Sequence, residues 1–273
     1  MKTLAGETRA LREQRRKALV AYFTAGYPDS EAFASLVRAA VDAGADIIEV
    51  GIPFSDPIAD GPIIQASSSA ALKNGMTLPR ALEAIARLHA DVRVPIVVMS
   101  YINPILRLGV DAFARTAVAA GVSGVVLPDV SFEESHSLRP ALSHAGLAYV
   151  DLVAPTSGEA RAQVIARASQ GFVYAVSMTG VTGARTASLA DASELVEQVR
   201  AATDTPVYVG FGVSTPDAAR EIARTADGVI IGSRLMQLAG DGPARGSAAR
   251  VADFLASVRH ELDALARDER VVF

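Results

Sequence analysis

The chain has no cysteine and no tryptophan, four histidines, and only three lysines, Lys2, Lys17 and Lys73, among its 273 residues. Without cysteine there can be no disulfide, no thiolate nucleophile and no thiolate metal site, and the composition fits a reducing, cytoplasmic compartment. No run of eighteen apolar residues occurs, so no membrane span is expected. The basic N-terminus, with Arg9, Arg12, Arg15, Arg16 and Lys17 interleaved with Glu7 and Glu13, lacks the apolar stretch of a signal peptide and reads as an amphipathic helix over residues 1–17. Charge of one sign is scarce too: the net charge is −4 with acids and bases scattered, which argues against nucleic acid as the main ligand. A small phosphate ester is compatible, because backbone dipoles rather than net charge can hold it.

Half of the residues are apolar, enough to bury one large core. Short apolar or β-branched runs recur at Leu19–Thr24, Asp46–Val50, Pro95–Met99, Gly124–Leu127, Ala148–Val153, Phe172–Val176, Val207–Gly210 and Gly228–Ile231. Alanine-rich segments with helical spacing lie between them, as in Ala32–Ala43, Leu78–His89, Ala112–Ala120, Ala160–Ala168, Glu194–Ala202 and Asp217–Thr225. Alternation of this kind predicts a parallel sheet, either open and doubly wound or closed. Eight regular units favour closure, a single (β/α)8 TIM barrel over residues 1–273 with an extra N-terminal helix. The Ala-Gly pairs at Ala43-Gly44, Ala120-Gly121 and Ala145-Gly146 read as helix C-caps. Two long irregular stretches, residues 51–62 after the second strand and 178–191 after the sixth, fall on the face where barrels place catalysis; a third, 240–247, reads as a surface turn.

The most informative segment is Ile48–Gly61, IEVGIPFSDPIADG, which puts Glu49 near the C-terminal end of a strand and Asp60 in the loop beyond it. A carboxylate between Ile48 and Val50 is costly to bury and predicts a raised pKa and acid-base work. Asp56 and Asp60 can instead cap a turn or the helix starting near Pro62. Elimination supports carboxylate chemistry. His89, His136, His144 and His260 fall in predicted helices, away from the barrel mouth, and no lysine sits at a strand's C-terminal end, which disfavours a Schiff base. Glu49, Asp56 and Asp60 form no compact metal triad with histidine, and no metal is expected. The other pole of the site is glycine-rich: Gly180-Val181-Thr182-Gly183, Gly210-Phe211-Gly212 and Gly232-Ser233 follow the last three strands, where barrels commonly hold phosphate.

These motifs together resemble the tryptophan synthase alpha subunit family. Ile48–Gly61 matches its signature throughout, joined in family order by residues 21–28 (AYFTAGYP), Tyr101-Ile102-Asn103-Pro104 and the three glycine motifs. The resemblance implies retro-aldol cleavage of indole-3-glycerol phosphate to indole and D-glyceraldehyde 3-phosphate. Glu49 would protonate indole C3 and help deprotonate the glycerol hydroxyl, and Asp60 would act at the indole N–H. Phosphate would be held by Gly183, Gly212, Gly232 and Ser233, with Phe23, Tyr101, Leu127, Tyr174 and Phe211 around the substrate. The 178–191 loop would be a lid whose Thr182 approaches Asp60 on closure, although Met178 stands where many relatives carry arginine, with Arg185 a substitute. Pro53, Asp56, Pro57, Asn103 and Pro104 would face a beta subunit in an α2β2 complex. That partner would carry pyridoxal phosphate, and this chain would need no cofactor. A free-standing lyase releasing indole, or a ligand-binding activator with little turnover, are the alternatives.

Overall fold

The computed structural model describes residues 3–176, 189–210, 212–242 and 246–271, without the side chains of 189–191 and 268–271. Its nine strands are β1 (Ala18–Thr24), β2 (Ile47–Gly51), β3 (Ile96–Met99), β4 (Val122–Val126), β5 (Ala148–Tyr149), β6 (Leu152–Val153), β7 (Val173–Ala175), β8 (Val207–Val209) and β9 (Gly228–Ile231). All pair in parallel, in the order β5-β4-β3-β2-β1-β9-β8-β7-β6. The two ends of that order are two halves of the expected fifth strand, separated by Val150 and Asp151 alone. Val150 N–H donates to the carbonyl of Val125 on one side, and the Asp151 carbonyl accepts Tyr174 N–H on the other, each at 2.9 Å. The sheet therefore closes into a barrel. The strand splits because the N–H of Asp151 donates to Ser169 Oγ at 2.9 Å rather than to a strand carbonyl.

Helices fill the outside, each set by local chemistry. The helix Ser30–Asp42 (α2, after the N-terminal α1, Leu4–Glu13) starts where Asp29 accepts the N–H groups of Glu31 and Ala32. Gly44 and Gly121, at φ +98° and +91°, end their helices in the left-handed region that glycine tolerates. Helix α1 spans Leu4–Glu13, shorter than residues 1–17, because Arg15 turns left-handed at φ +54°. The stretch 240–247, expected as a surface turn, separates the helix Ser233–Gly240 from a long helix, Ser247–Val271, that packs on α2, with residues 243–245 outside the described ones. Among the described residues no helix is long and apolar enough to cross a membrane.

Strand alternation divides the core in two. Leu19, Ala21 and Phe23 of β1 join the layer between sheet and helices. Ala18, Val20, Ile47, Val97, Val126, Phe172, Tyr174, Tyr208 and Ile230 fill the barrel, and Leu4 and Leu11 of α1 plug its N-terminal end. One face of each strand is thus committed to the barrel's interior, and the site is built on that face.

Candidate active site

Ile47 lies in the interior cluster, so Glu49, two residues on, points into the barrel beside its register partners Tyr22 and Val97. Glu49 is 1% exposed, and among the described residues neither of its carboxylate oxygens has a hydrogen-bond partner. A buried anion without a partner is unfavourable, so the group holds its proton. Burial, helped by the charge of Asp60, pushes its pKa to about 8.

Above it opens a cavity of about 800 Å³ at the C-terminal ends of the strands, lined by Asp60, Tyr22, Met99, Leu152, Tyr174 and Ile230 among others. Tyr22, the register partner of Glu49, forms part of the cavity's wall, and the charge of Glu49 acts on the hydroxyls of both Tyr22 and Tyr174. Both tyrosines depend on a missing side chain opposite. A Cβ on Gly51 would come within 2.0 Å of the Tyr22 hydroxyl, and one on Gly210 within 2.2 Å of the Tyr174 ring.

Asp60 arrives on the loop between β2 and the helix Pro62–Lys73 (α3), whose N-cap is Gly61. Its side chain is not the helix cap; its carbonyl accepts Gln65 Nε2 at 2.8 Å. Burial raises its pKa to about 6, against the pull of the neighbouring Tyr101 hydroxyl. The same hydroxyl accepts Ala59 N–H at 2.9 Å, and the Tyr101 ring stacks on Phe54 with centroids 5.2 Å apart. Tyr101 therefore fastens the Asp60 loop. Asp129 holds Tyr101 in turn, by accepting the next N–H, that of Ile102, at 3.0 and 3.1 Å.

The far end of the cavity is lined by Gly212, Val213, Ser214, Gly232 and Ser233. Ser233 opens the helix Ser233–Gly240 (α4) with Gly232 as N-cap. Free N–H groups and the positive end of the helix dipole there suit an anion. Gly212, at φ +73°, has open space where a side chain would go.

Two expected contacts are corrected. Phe23 and Leu127, 0% and 1% exposed, belong to the layer between sheet and helices, because the residues sharing the barrel face are Tyr22 in β1 and Val126 in β4. Strand parity held the missing signal: counting on by twos from Ala18 and Val20 selects Tyr22, whose hydroxyl also suits a wet cavity better than a dry helix interface. Met99, Leu152 and Ile230 were missed for want of any chemical mark. Thr182, Gly183 and Phe211, with the lid positions Met178 and Arg185, lie outside the described residues. Of the expected partner-facing residues, Asp56 and Asn103 are exposed, Pro57 and Pro104 half-buried, and Pro53 buried within the chain. Ile58 is 75% and Leu106 55% exposed on the same two segments. Among the described residues no three His, Asp or Glu side chains gather as metal ligands would.

A parallel barrel with one protonated and one ionised carboxylate at its C-terminal mouth, facing an anion-binding helix start, is the construction of a barrel enzyme working by acid-base catalysis on a phosphorylated substrate. The family model for the tryptophan synthase alpha chain matches residues 8–266. The alpha chain of Geobacter sulfurreducens is 45% identical over 262 residues, covering 96% of this chain and 99% of that one. The alpha chain of Laribacter hongkongensis is 47% identical over 258 residues, covering 93% and 97%. The crystal structure of the alpha subunit from Legionella pneumophila superposes with a TM-score of 0.89 at 32% identity, covering 97% and 99%. The chain belongs to the tryptophan synthase alpha chain family.

Proposed function

We infer that this chain cleaves indole-3-glycerol phosphate to indole and D-glyceraldehyde 3-phosphate, as the alpha subunit of a tryptophan synthase that passes indole to a beta subunit. The observation that carries the reading is the split between two carboxylates in one site, Glu49 at about 8 and Asp60 at about 6. Near neutral pH the first is an acid and the second a base.

In the proposed reaction Glu49 gives its proton to C3 of the indole ring, which becomes a cationic indolenine. Asp60, ionised beside the ring N–H, stabilises that charge. Removal of the glycerol hydroxyl proton, by the Glu49 carboxylate just formed, then drives the bond from C3 to the side chain to break. Its electron pair restores the aromatic ring, and the hydroxyl carbon becomes the aldehyde. Tyr22, Tyr174, Leu152 and Ile230 offer the flat apolar walls an indole needs, and the start of α4 with Gly212 offers N–H donors to the phosphate. The chemistry asks for no prosthetic group in this chain; pyridoxal phosphate belongs to the proposed partner. The exposed Ile58 and Leu106, beside Pro57 and Asn103, suit a partner surface, and the cytoplasm is the proposed compartment.

The test is incubation of the purified chain with indole-3-glycerol phosphate, with and without a beta subunit. Slow release of indole that rises steeply with the partner is expected. Fast release indifferent to the partner would identify a free-standing lyase, and no release in either tube would overturn the enzymatic reading.

A further inference from the structure

Tyr22 stands between the acid and the anion end of the large cavity. Its register partner on β2 is Glu49, and on the side of β9 a Cβ on Gly232 would meet its ring at 3.4 Å. Its hydroxyl lies over Gly51, in the space a side chain there would take, and the charges of Asp60 and Glu49 both act on it. A substrate that reaches from the two carboxylates to the start of α4 passes along this side chain, which forms part of the cavity's wall.

Three hydroxyls in series decide what Tyr22 offers to that substrate. Ser67 Oγ, in α3, donates its single proton to the Ile64 carbonyl at 2.8 Å. Ser67 can then only accept in its 2.7 Å contact with Thr24 Oγ1, so Thr24 is the donor there. With the Thr24 proton committed, the 3.4 Å contact between Thr24 Oγ1 and Tyr22 Oη can carry only the proton of Tyr22. Burial and the charge of Asp60 raise the Tyr22 pKa, so the hydroxyl has a proton to commit. The order ends on a carbonyl, which has no proton with which to reverse it. Thr24 and Ser67 are 0% and 3% exposed, which keeps solvent from resetting it. The Tyr22 proton is thus drawn toward α3, and the oxygen is left to the cavity as an acceptor.

Taking indole-3-glycerol phosphate as the substrate proposed for this site, on which the inference rests, we propose that the Tyr22 oxygen accepts a hydrogen bond from the middle hydroxyl of the glycerol chain, and that Thr24 and Ser67 hold it in the accepting state. The ring N–H falls to Asp60 and the hydroxyl on the reacting carbon to Glu49. The middle hydroxyl takes no part in the cleavage, lies between that carbon and the phosphate, and is the donor left without an acceptor. Tyr22 then selects substrates that bear this hydroxyl, and Thr24 and Ser67 are positioning residues that act through it.

Two measurements on the full chain test this. Calorimetry compares glycerol 3-phosphate with 3-hydroxypropyl phosphate, which lacks only the middle hydroxyl. The unaltered chain should bind the first about fivefold more tightly, the worth of one hydrogen bond, and Tyr22→Phe should bind the two alike. In kinetics, Ser67→Ala should lower kcat/KM for indole-3-glycerol phosphate by about threefold, because the Thr24 proton, released from Ser67, turns to Tyr22 and makes it a donor. The same substitution in the Tyr22→Phe chain should change nothing. Equal affinities in the unaltered chain, a preference that survives Tyr22→Phe, or an equal loss from Ser67→Ala in both backgrounds would overturn the proposal. The calorimetry needs no turnover, so the two failures are distinct: cleavage without the preference sinks the assignment of Tyr22 alone, and absence of cleavage sinks the reading of the reaction.

Discussion

Strand β2 carries a buried carboxylate at each end, and the two have opposite surroundings. Asp46, just before the strand, is 8% exposed. It accepts hydrogen bonds from Leu19 N–H at 2.9 Å, Arg16 Nε at 3.0 Å and Arg259 at 3.2 Å. Glu49, three residues further, is more deeply buried and has no partner among the described residues. Burial alone does not separate a structural acid from a chemical one; the list of partners does. Asp46 joins β1, β2 and the C-terminal helix, whereas Glu49 is left unpaired under a cavity and spends its proton on what enters. Exchanging or removing these groups should therefore produce opposite losses.

Glu49→Gln is the sharpest break. Amide for acid keeps the shape and removes the transferable proton, so indole formation should fall by about 10²–10⁴-fold or more, while the urea midpoint holds or rises. The stability effect has a direction in pH. Folding raises the Glu49 pKa from 4.5 to about 8, so the folded state binds the proton more tightly. That contribution is fully present below pH 4.5 and is lost as pH rises through 8. Unfolding of both proteins across that window should show the Gln variant gaining on the unaltered chain as pH rises. Parallel curves would mean that Glu49 ionises without hindrance in the fold.

Asp46→Ala should do the reverse. It leaves Arg259, with a side chain only 9% exposed, short of a carboxylate. Loss of one partner of a buried pair costs about 3–5 kcal/mol; Asp263, 2.7 Å from the other guanidinium nitrogen, keeps the expected value near about 3 kcal/mol. Urea denaturation measures the loss, and the rate per folded molecule should stay unchanged. A catalytic defect at full stability would erase the contrast between the two ends of the strand.

The pH profile sharpens the comparison within the active site itself. Cleavage should rise through about pH 6 as Asp60 ionises and fall near 8 as Glu49 loses its proton, a bell whose limbs belong to the coupled pair. A single-limbed profile of kcat/KM would remove one carboxylate from the chemistry.

Much of this contrast was legible before the structure. The IEVGIPFSDPIADG segment located Glu49 and Asp60, and the spacing of apolar runs specified the barrel, because strand ends and breakers are local signals. Facing was not legible in the same way. Tyr22 and Phe23 are adjacent aromatics on a strand that is apolar on both faces, so only parity with Ala18 and Val20, which the structure places inside the barrel, tells which one looks inward; Leu127 was misplaced for the same reason. The split of the fifth strand rests on Ser169, eighteen residues from the N–H it accepts, a distance over which local pattern carries no information. Likewise the partners of Asp46 come from Arg16 and Arg259, at opposite ends of the chain, so its structural role could not be read beside it.

The smallest expected effect belongs to Tyr101, which touches the Asp60 loop at two points. Tyr101→Phe keeps the ring stacked on Phe54 and removes the hydroxyl that accepts Ala59 N–H and lowers the pKa of Asp60. Two consequences follow from one lost oxygen. The acid limb of the pH profile should move upward, because Asp60 loses a group that favours its ionised form. The rate at the optimum should drop by about tenfold, the worth of one hydrogen bond in holding the carboxylate in place. A role confined to packing would leave the acid limb where it is, so the limb and not the rate decides whether Tyr101 positions the base.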